Sequence, residues 1–221
     1  MNVLAVDTAT PATVVGLNED AEVHLPGAGE RPGHASQTLP LAARLLERAG
    51  LTFADLDRIG VGVGPGTFTG LRIGVSTARA LAQASGAELV GVSTLRALAA
   101  GAAHDGPVLA VLDARRGEAF VGEYDGERTV REPAAVTPEQ LGEMARPGLL
   151  AVGDGAVRFR EVLEPPGTEV PADGSPLHQV SALALVRLAA AAPPARESVV
   201  PEYLRLPDAE LALRRKQQQA P

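Results

Sequence analysis

Two aspartates stand where an α/β chain places catalytic carboxylates. Asp7 closes the apolar run Val3-Leu-Ala-Val6, and Asp113 closes the similar run Val108-Leu-Ala-Val-Leu112. Ligand groups in α/β folds gather at the carboxyl ends of strands. A pair of carboxylates there could hold a metal through water in a nucleotide-dependent enzyme. Such residues are normally followed by glycine, so that backbone N–H groups can reach a phosphate. Here the followers are Thr8-Ala9-Thr10 and Ala114-Arg115-Arg116-Gly117, with no glycine at the close position. The plainer reading is that each aspartate caps its own turn.

The glycine-rich run Gly62 to Gly70 offers a second possible chemistry. It is not G-x-G-x-x-G, because the gap from Gly66 to Gly70 is one residue too long. It is not a P-loop, because Leu71 and Arg72 follow Gly70 where lysine and serine or threonine belong. Backbone N–H groups at a helix start could still hold an anion, with Thr8, Gly66 and Arg72 as contacts. The competing reading is a structural turn. Histidine chemistry has less behind it: a helical metal pair needs a partner four residues after His34, and that position is Thr38. Ser36, Ser76 and Ser93 lack the context of a serine nucleophile.

Composition narrows the field further. The chain has 221 residues, 45% hydrophobic but only 3% aromatic, so Ala, Val and Leu must build the core. The formal charge of −7 argues against a protein that grips nucleic acid alone. Lys216 is the single lysine and there is no cysteine, which removes Schiff-base, P-loop-lysine and thiol chemistry. No apolar run is long enough to span a bilayer and no amino-terminal signal is evident, so a cytoplasmic location is the expectation.

The elements that must position these residues follow from periodicity. Strands are expected at 2–6, 12–17 and 22–25, then a helix that starts between Ala35 and Leu39 and ends at Ala49. The start is set by Pro40, which is comfortable only in a first turn. Its apolar residues form two stripes, one through Leu39, Ala42, Leu46 and Ala49 and one through Leu41 and Leu45. A strand over 58–63 leads through Gly64-Pro65-Gly66 to a helix over 70–83, capped by Thr67 or Thr69. Gly70, Gly74, Ala78 and Ala82 lay a ridge of minimal bulk along that helix. Such a ridge permits close packing, on the chain's own sheet or on a second protein.

A strand over 88–92 and a helix to Ala102 complete a βββαβαβα order. The second half begins the same way, with strands at 107–112, 118–124 and 127–132, a helix over 137–145, a strand over 149–152 and a helix over 156–163. A short extended piece at 168–170 and a long helix over 177–192 end the repeat. Two related lobes are expected, 1–104 and 105–221, the second smaller. Val199 to Arg205 reads as an extended segment that docks on a lobe, and 208–219 as a polar tail.

Together, Val3-Leu-Ala-Val-Asp-Thr-Ala-Thr10, His34-Ala-Ser-Gln-Thr-Leu-Pro40, Gly64-Pro-Gly-Thr-Phe-Thr-Gly-Leu-Arg-Ile-Gly74, Asp113-Ala-Arg-Arg-Gly-Glu118 and Pro201-Glu-Tyr-Leu-Arg205 resemble the TsaB (YeaZ) family. The resemblance implies an α/β, two-lobed actin/Hsp70/sugar-kinase-like (ribonuclease H-like) fold. It implies a non-catalytic subunit that dimerises with the paralogue TsaD to make N6-threonylcarbamoyladenosine at position 37 of tRNAs reading codons that begin with A. The ATPase TsaE joins the complex, tRNA is met through the complex, and a homodimer forms when TsaD is absent. No metal and no cofactor of its own are implied, although ATP or ADP could lodge at the TsaD interface. TsaD relatives carry H-x-x-x-H where this chain has His34 and Thr38.

The dimer contact is placed by the same resemblance on the first-lobe helices. The expected contacts are Leu39, Ala42, Leu46, Leu71, Gly74, Val75, Ala78 and Ala82, and periodicity leaves open which of them face the partner and which the core. The rival reading is a stand-alone ATPase or small-molecule kinase that uses Asp7 and Asp113.

Overall fold

A computed structural model of the chain describes residues 1–27, 29–193 and 198–205. Strand β1 (Val3–Asp7) pairs antiparallel with β2 (Thr13–Leu17), and β2 with β3 (Asp20–His24). On its other side β1 pairs in parallel with β4 (Arg58–Gly64), and β4 with β5 (Glu88–Ser93), giving the order β3-β2-β1-β4-β5. The second sheet is built from β6 (Pro107–Arg115), β7 (Glu118–Asp125), β8 (Arg128–Val136) and β9 (Leu150–Val152), in the order β8-β7-β6-β9. Two lobes with the same strand logic are therefore present.

Both faces of the first sheet are covered, which is why β1, β2 and β4 read as unbroken apolar runs. Helices α1 (His34–Ala49) and α2 (Phe68–Ser85) lie on one face, where Leu4, Val6 and Val15 meet Leu41, Leu45, Val75 and Ala78. The alternate residues Val3, Ala5 and Val14 point the other way, as the two-residue period of a strand requires. They pack on Leu185, Val186 and Ala189 of α7 (Ala182–Ala191). Helix α3 (Thr94–Gly101) lies between the sheets, with Leu95 and Leu98 against Val108, Ala110 and Leu112. Helices α4 (Pro138–Met144), α5 (Asp154–Arg158) and α6 (Arg160–Leu163) close the outer face of the second sheet over Leu109 and Val111.

Four sequence expectations need correction. Helix α1 starts at His34, so Pro40 lies inside it. The carbonyl that Pro40 leaves without a donor belongs to Ser36, which is exposed along with Pro40, so water can serve it. The helix expected over 177–192 is split: Ser175 caps a short 3-10 turn at Pro176–His178, the chain extends, and Ser181 caps α7 afresh. The second lobe's last strand is reduced to one bridge between Leu150 and Glu169. Finally, α7 follows residue 105 in sequence but packs with the first lobe, because the face of Val3, Ala5 and Val14 has no other cover.

The extended segment 198–205 forms a strap. Glu202 donates its N–H to the Val63 carbonyl at 2.7 Å, and Arg205 pairs with Glu118 of β7 at 2.8 Å. The strap thus ties the first lobe to the second. The polar tail over 208–219 lies outside the described residues.

Candidate functional site

The carboxyl end of β1 holds a buried polar cluster of Asp7, Thr8 and Thr94. Asp7 is fully buried. Its Oδ1 accepts the Ala9 N–H at 2.8 Å, closing its own turn, and Thr94 Oγ1 donates to Oδ2 at 2.7 Å. Burial outweighs both hydrogen bonds and pushes the carboxyl up to about 6. Gly62 of β4 forms the wall: a Cβ there would stand 1.9 Å from Asp7 Oδ2. The carboxylate therefore presents no oxygen to solvent, and a hydrated metal has no approach to it.

The glycine-rich loop packs directly on that turn. Thr67 N–H donates to the Ala9 carbonyl at 2.8 Å, and a Cβ on Gly66 would lie 2.4 Å from the same oxygen. Thr8 Oγ1 donates to the Gly70 carbonyl at 2.7 Å. Thr67 caps α2 by accepting from Gly70 N–H at 3.3 Å. Thr8, Gly66 and Asp7 are thus brought together, but as a closed structural knot. Arg72 points elsewhere: its guanidinium lies 4.0 Å over the Phe68 ring, and Nε donates to the Tyr203 hydroxyl at 3.4 Å. The loop is thus built as a tight structural turn, and Arg72 is not brought to it.

Asp113 is satisfied within the second lobe. Its Oδ1 accepts the Arg115 N–H at 2.8 Å, while Arg115 and Arg158 each approach Oδ2 at 3.3 Å. Its own N–H donates to Oδ1 of Asp154 at 3.0 Å. Burial, with the Asp113 charge adding to it, holds the Asp154 carboxyl above its usual range. Asp7 and Asp113 share no hydrogen-bond partner. Asp154 and Thr94 escaped the sequence reading, since no spacing links them to carboxylates 41 and 87 residues away.

His34 is buried, with Nδ1 2.8 Å from Thr13 Oγ1. Burial lowers its pKa, with a further push from His24, so the ring is neutral at pH 7. Thr38 turns its hydroxyl to the His34 carbonyl at 2.7 Å. His178 accepts the Gly153 N–H at Nδ1, which leaves Nε2–H to donate to the Pro171 carbonyl 3.1 Å away. Among the described residues no three His, Asp or Glu side chains converge as a metal site would require.

The expected partner residues are mostly interior. Ala42, Leu46, Leu71, Val75, Ala78 and Ala82 belong to the buried core, and Gly74 is buried with them. Leu39 alone of the set is exposed, at 46%. The ridge of small residues explains this. It lets α2 lie close over the Asp7 turn, where a Cβ on Gly74 would come within 2.4 Å of Thr8 Oγ1. The apolar stripes of α1 likewise merge into one buried face of Leu41, Ala42, Leu45 and Leu46. What α2 offers outward is Arg72, Ser76, Arg79 and Gln83, all exposed. Arg79 donates to the Val199 carbonyl of the strap, and Tyr203 stacks on Phe68 with centroids 5.3 Å apart.

Comparison with known proteins connects this arrangement to a family. The model of TsaD, tRNA N6-adenosine threonylcarbamoyltransferase, matches residues 30–164. The tRNA threonylcarbamoyladenosine biosynthesis protein TsaB of Bacillus subtilis is 30% identical over 223 residues, covering 95% of this chain and 96% of that protein. The chain belongs to the TsaB (YeaZ) family. An uncharacterized protein of Mycobacterium tuberculosis is 38% identical over 214 residues, 94% of this chain and 93% of the other. YeaZ from Pseudomonas aeruginosa superposes with a TM-score of 0.71 at 31% identity, over 86% of this chain and 90% of that one. The two sheets are thus the two lobes of the α/β fold that this chain shares with YeaZ. Among the described residues no helix is long and apolar enough to cross a membrane.

Proposed function

We propose that this chain is a non-catalytic partner subunit in threonylcarbamoylation of adenosine 37 in tRNAs that read codons beginning with A. It pairs with a TsaD-like paralogue that carries the transfer chemistry, and a TsaE-like ATPase joins the pair. Alone, the chain forms a homodimer. Family membership supports the pathway, and one observation supports the absence of independent catalysis: Asp7 is sealed between Ala9, Thr94 and Gly62. A carboxylate so placed does not fit the metal–nucleotide role that an enzyme of this fold would give it. ATP or ADP, where the complex uses it, sits at the subunit interface instead.

The pairing surface is the outer face of the first-lobe helices. It comprises Leu39 on α1 and Arg72, Ser76, Arg79 and Gln83 on α2, with Tyr203 of the strap alongside. The test is reconstitution of tRNA modification with the synthase, TsaD and TsaE, with and without this chain. Threonylcarbamoyladenosine that forms only with the chain present, while the chain alone turns over no ATP, is the expected result. Full modification in its absence would overturn the proposal. ATP turnover by the isolated chain that Asp7→Asn abolishes would establish the rival enzyme.

A further inference from the structure

Arg96 stands in the first turn of α3, half-buried between the lobes. Its guanidinium lies 5.0 Å from the centroid of the Tyr124 ring. Stacking of this kind engages the face of the cation and leaves its in-plane N–H donors free. No acceptor or ion-pair partner for them exists among the described residues, and the same is true of Arg187 on α7. Four other arginines behave differently. Arg58, Arg146, Arg158 and Arg160 each hold a carboxylate.

Arg96 and Arg187 line one pocket of about 390 Å³. Its walls are largely the small side chains of α3 and α7, among them Ala99, Ala100, Ala184 and Leu188, with Tyr124 across from them. Small-molecule sites fall in the range of roughly 300–1,000 Å³ and combine an apolar lining with a few convergent polar groups. The other ionisable groups on the lining are His104, Tyr124 and Glu127, so within this pocket the two arginines outnumber the single carboxylate, while Glu132 and Glu202 line the adjacent pocket that Arg96 also borders. Alanine walls leave room for an apolar body, and the unpaired cations leave room for one negative head.

We propose that this pocket binds a small organic anion with an apolar body, its carboxylate or phosphate held by Arg96 and Arg187. The site is separate from the Asp7 turn and from the outer face of α2, and it does not depend on the pairing function. The test is titration of the full chain with 1-anilinonaphthalene-8-sulfonate, an aromatic sulfonate whose fluorescence reports transfer to an apolar site. Saturable binding is expected, displaced by octanoate or by phenyl phosphate but not by octanol. Which competitor acts identifies whether the head is a carboxylate or a phosphate.

Loss of one charge-assisted contact weakens binding about tenfold or more, so Arg96→Met and Arg187→Met should each show at least that loss. Arg187 is exposed, so its replacement leaves the fold intact. Absence of saturable binding, an affinity unchanged from the parent chain in either arginine variant, displacement by octanol as readily as by octanoate, or displacement by neither anion would each overturn the proposal.

Discussion

Replacing Asp7 with asparagine tests whether the carboxylate at the end of β1 is structural. Its carboxyl titrates at about 6 in the folded chain against 3.8 for a free aspartate, because burial penalises the charged form. Below about pH 3.8 both folded and unfolded chains hold the proton. Between there and about pH 6 the unfolded chain has released it while the folded chain keeps it. Stability therefore falls as pH rises through this window, and the loss is complete by pH 7. A gap of about two pH units at 1.36 kcal/mol each amounts to about 3 kcal/mol.

Asparagine keeps the shape and the acceptor for Ala9 N–H. Its amide can donate to Thr94 Oγ1, which then accepts instead of donating. With no charge to bury, Asp7→Asn should exceed the parent chain by up to about 3 kcal/mol at pH 7, or several degrees in Tm. The advantage should shrink toward zero near pH 4. Urea denaturation of both proteins from pH 4 to pH 8 measures the difference directly, and other titrating groups cancel in the comparison. A variant less stable than the parent at pH 7, or a difference that does not vary with pH, would refute the reasoning.

Two glycines within helices should respond oppositely to alanine. Gly142→Ala in α4 meets nothing nearer than 3.8 Å and should gain up to about 1 kcal/mol from helix propensity, read as a higher Tm. Gly74→Ala drives a Cβ to 2.4 Å from the buried Thr8 hydroxyl, so overpacking of about 1–3 kcal/mol should outweigh that gain and lower Tm. A larger side chain at Gly74 should unfold the chain for the same reason, so Arg79→Glu, on the exposed face of α2, is the probe of pairing and should abolish co-sedimentation with a TsaD-like partner while leaving the fold intact. Arg58→Met removes the contacts to Glu88 at 2.6 and 2.9 Å and to the Ala189, Ala190 and Ala192 carbonyls. It should cost about 3 kcal/mol in urea denaturation, with early loss of amide protection at the end of α7.

Much of the first lobe was legible because its signals are local. Apolar runs ending in Asp7 and Gly64, the Thr67 cap and the stop at Gly50 each involve neighbours in sequence. The turn role of Asp7 was legible for the same reason, since its partner Ala9 is two residues away. Its second partner, Thr94, was hidden, because only the packing of α3 brings it close. The small-residue ridge of α2 was visible, but periodicity does not tell a sheet from a second protein, and the structure assigns that face to the sheet. Pro40 misled for a similar reason: whether a missing N–H matters depends on which carbonyl it strands, and here that carbonyl faces water.

The return of α7 to the first sheet fixes the order in which the chain can be completed on a ribosome. Synthesis delivers residues 1–104 first, but one face of their sheet, with Val3, Ala5, Val14, Val90 and Val92, stays bare until residues 182–191 emerge. Domains generally form as units while the chain elongates, and this one must wait for the whole intervening lobe. The second sheet is in effect an insertion, so the amino-terminal half released alone exposes a strip of valine and alanine. A truncated product would therefore be a client for chaperones rather than a smaller working protein.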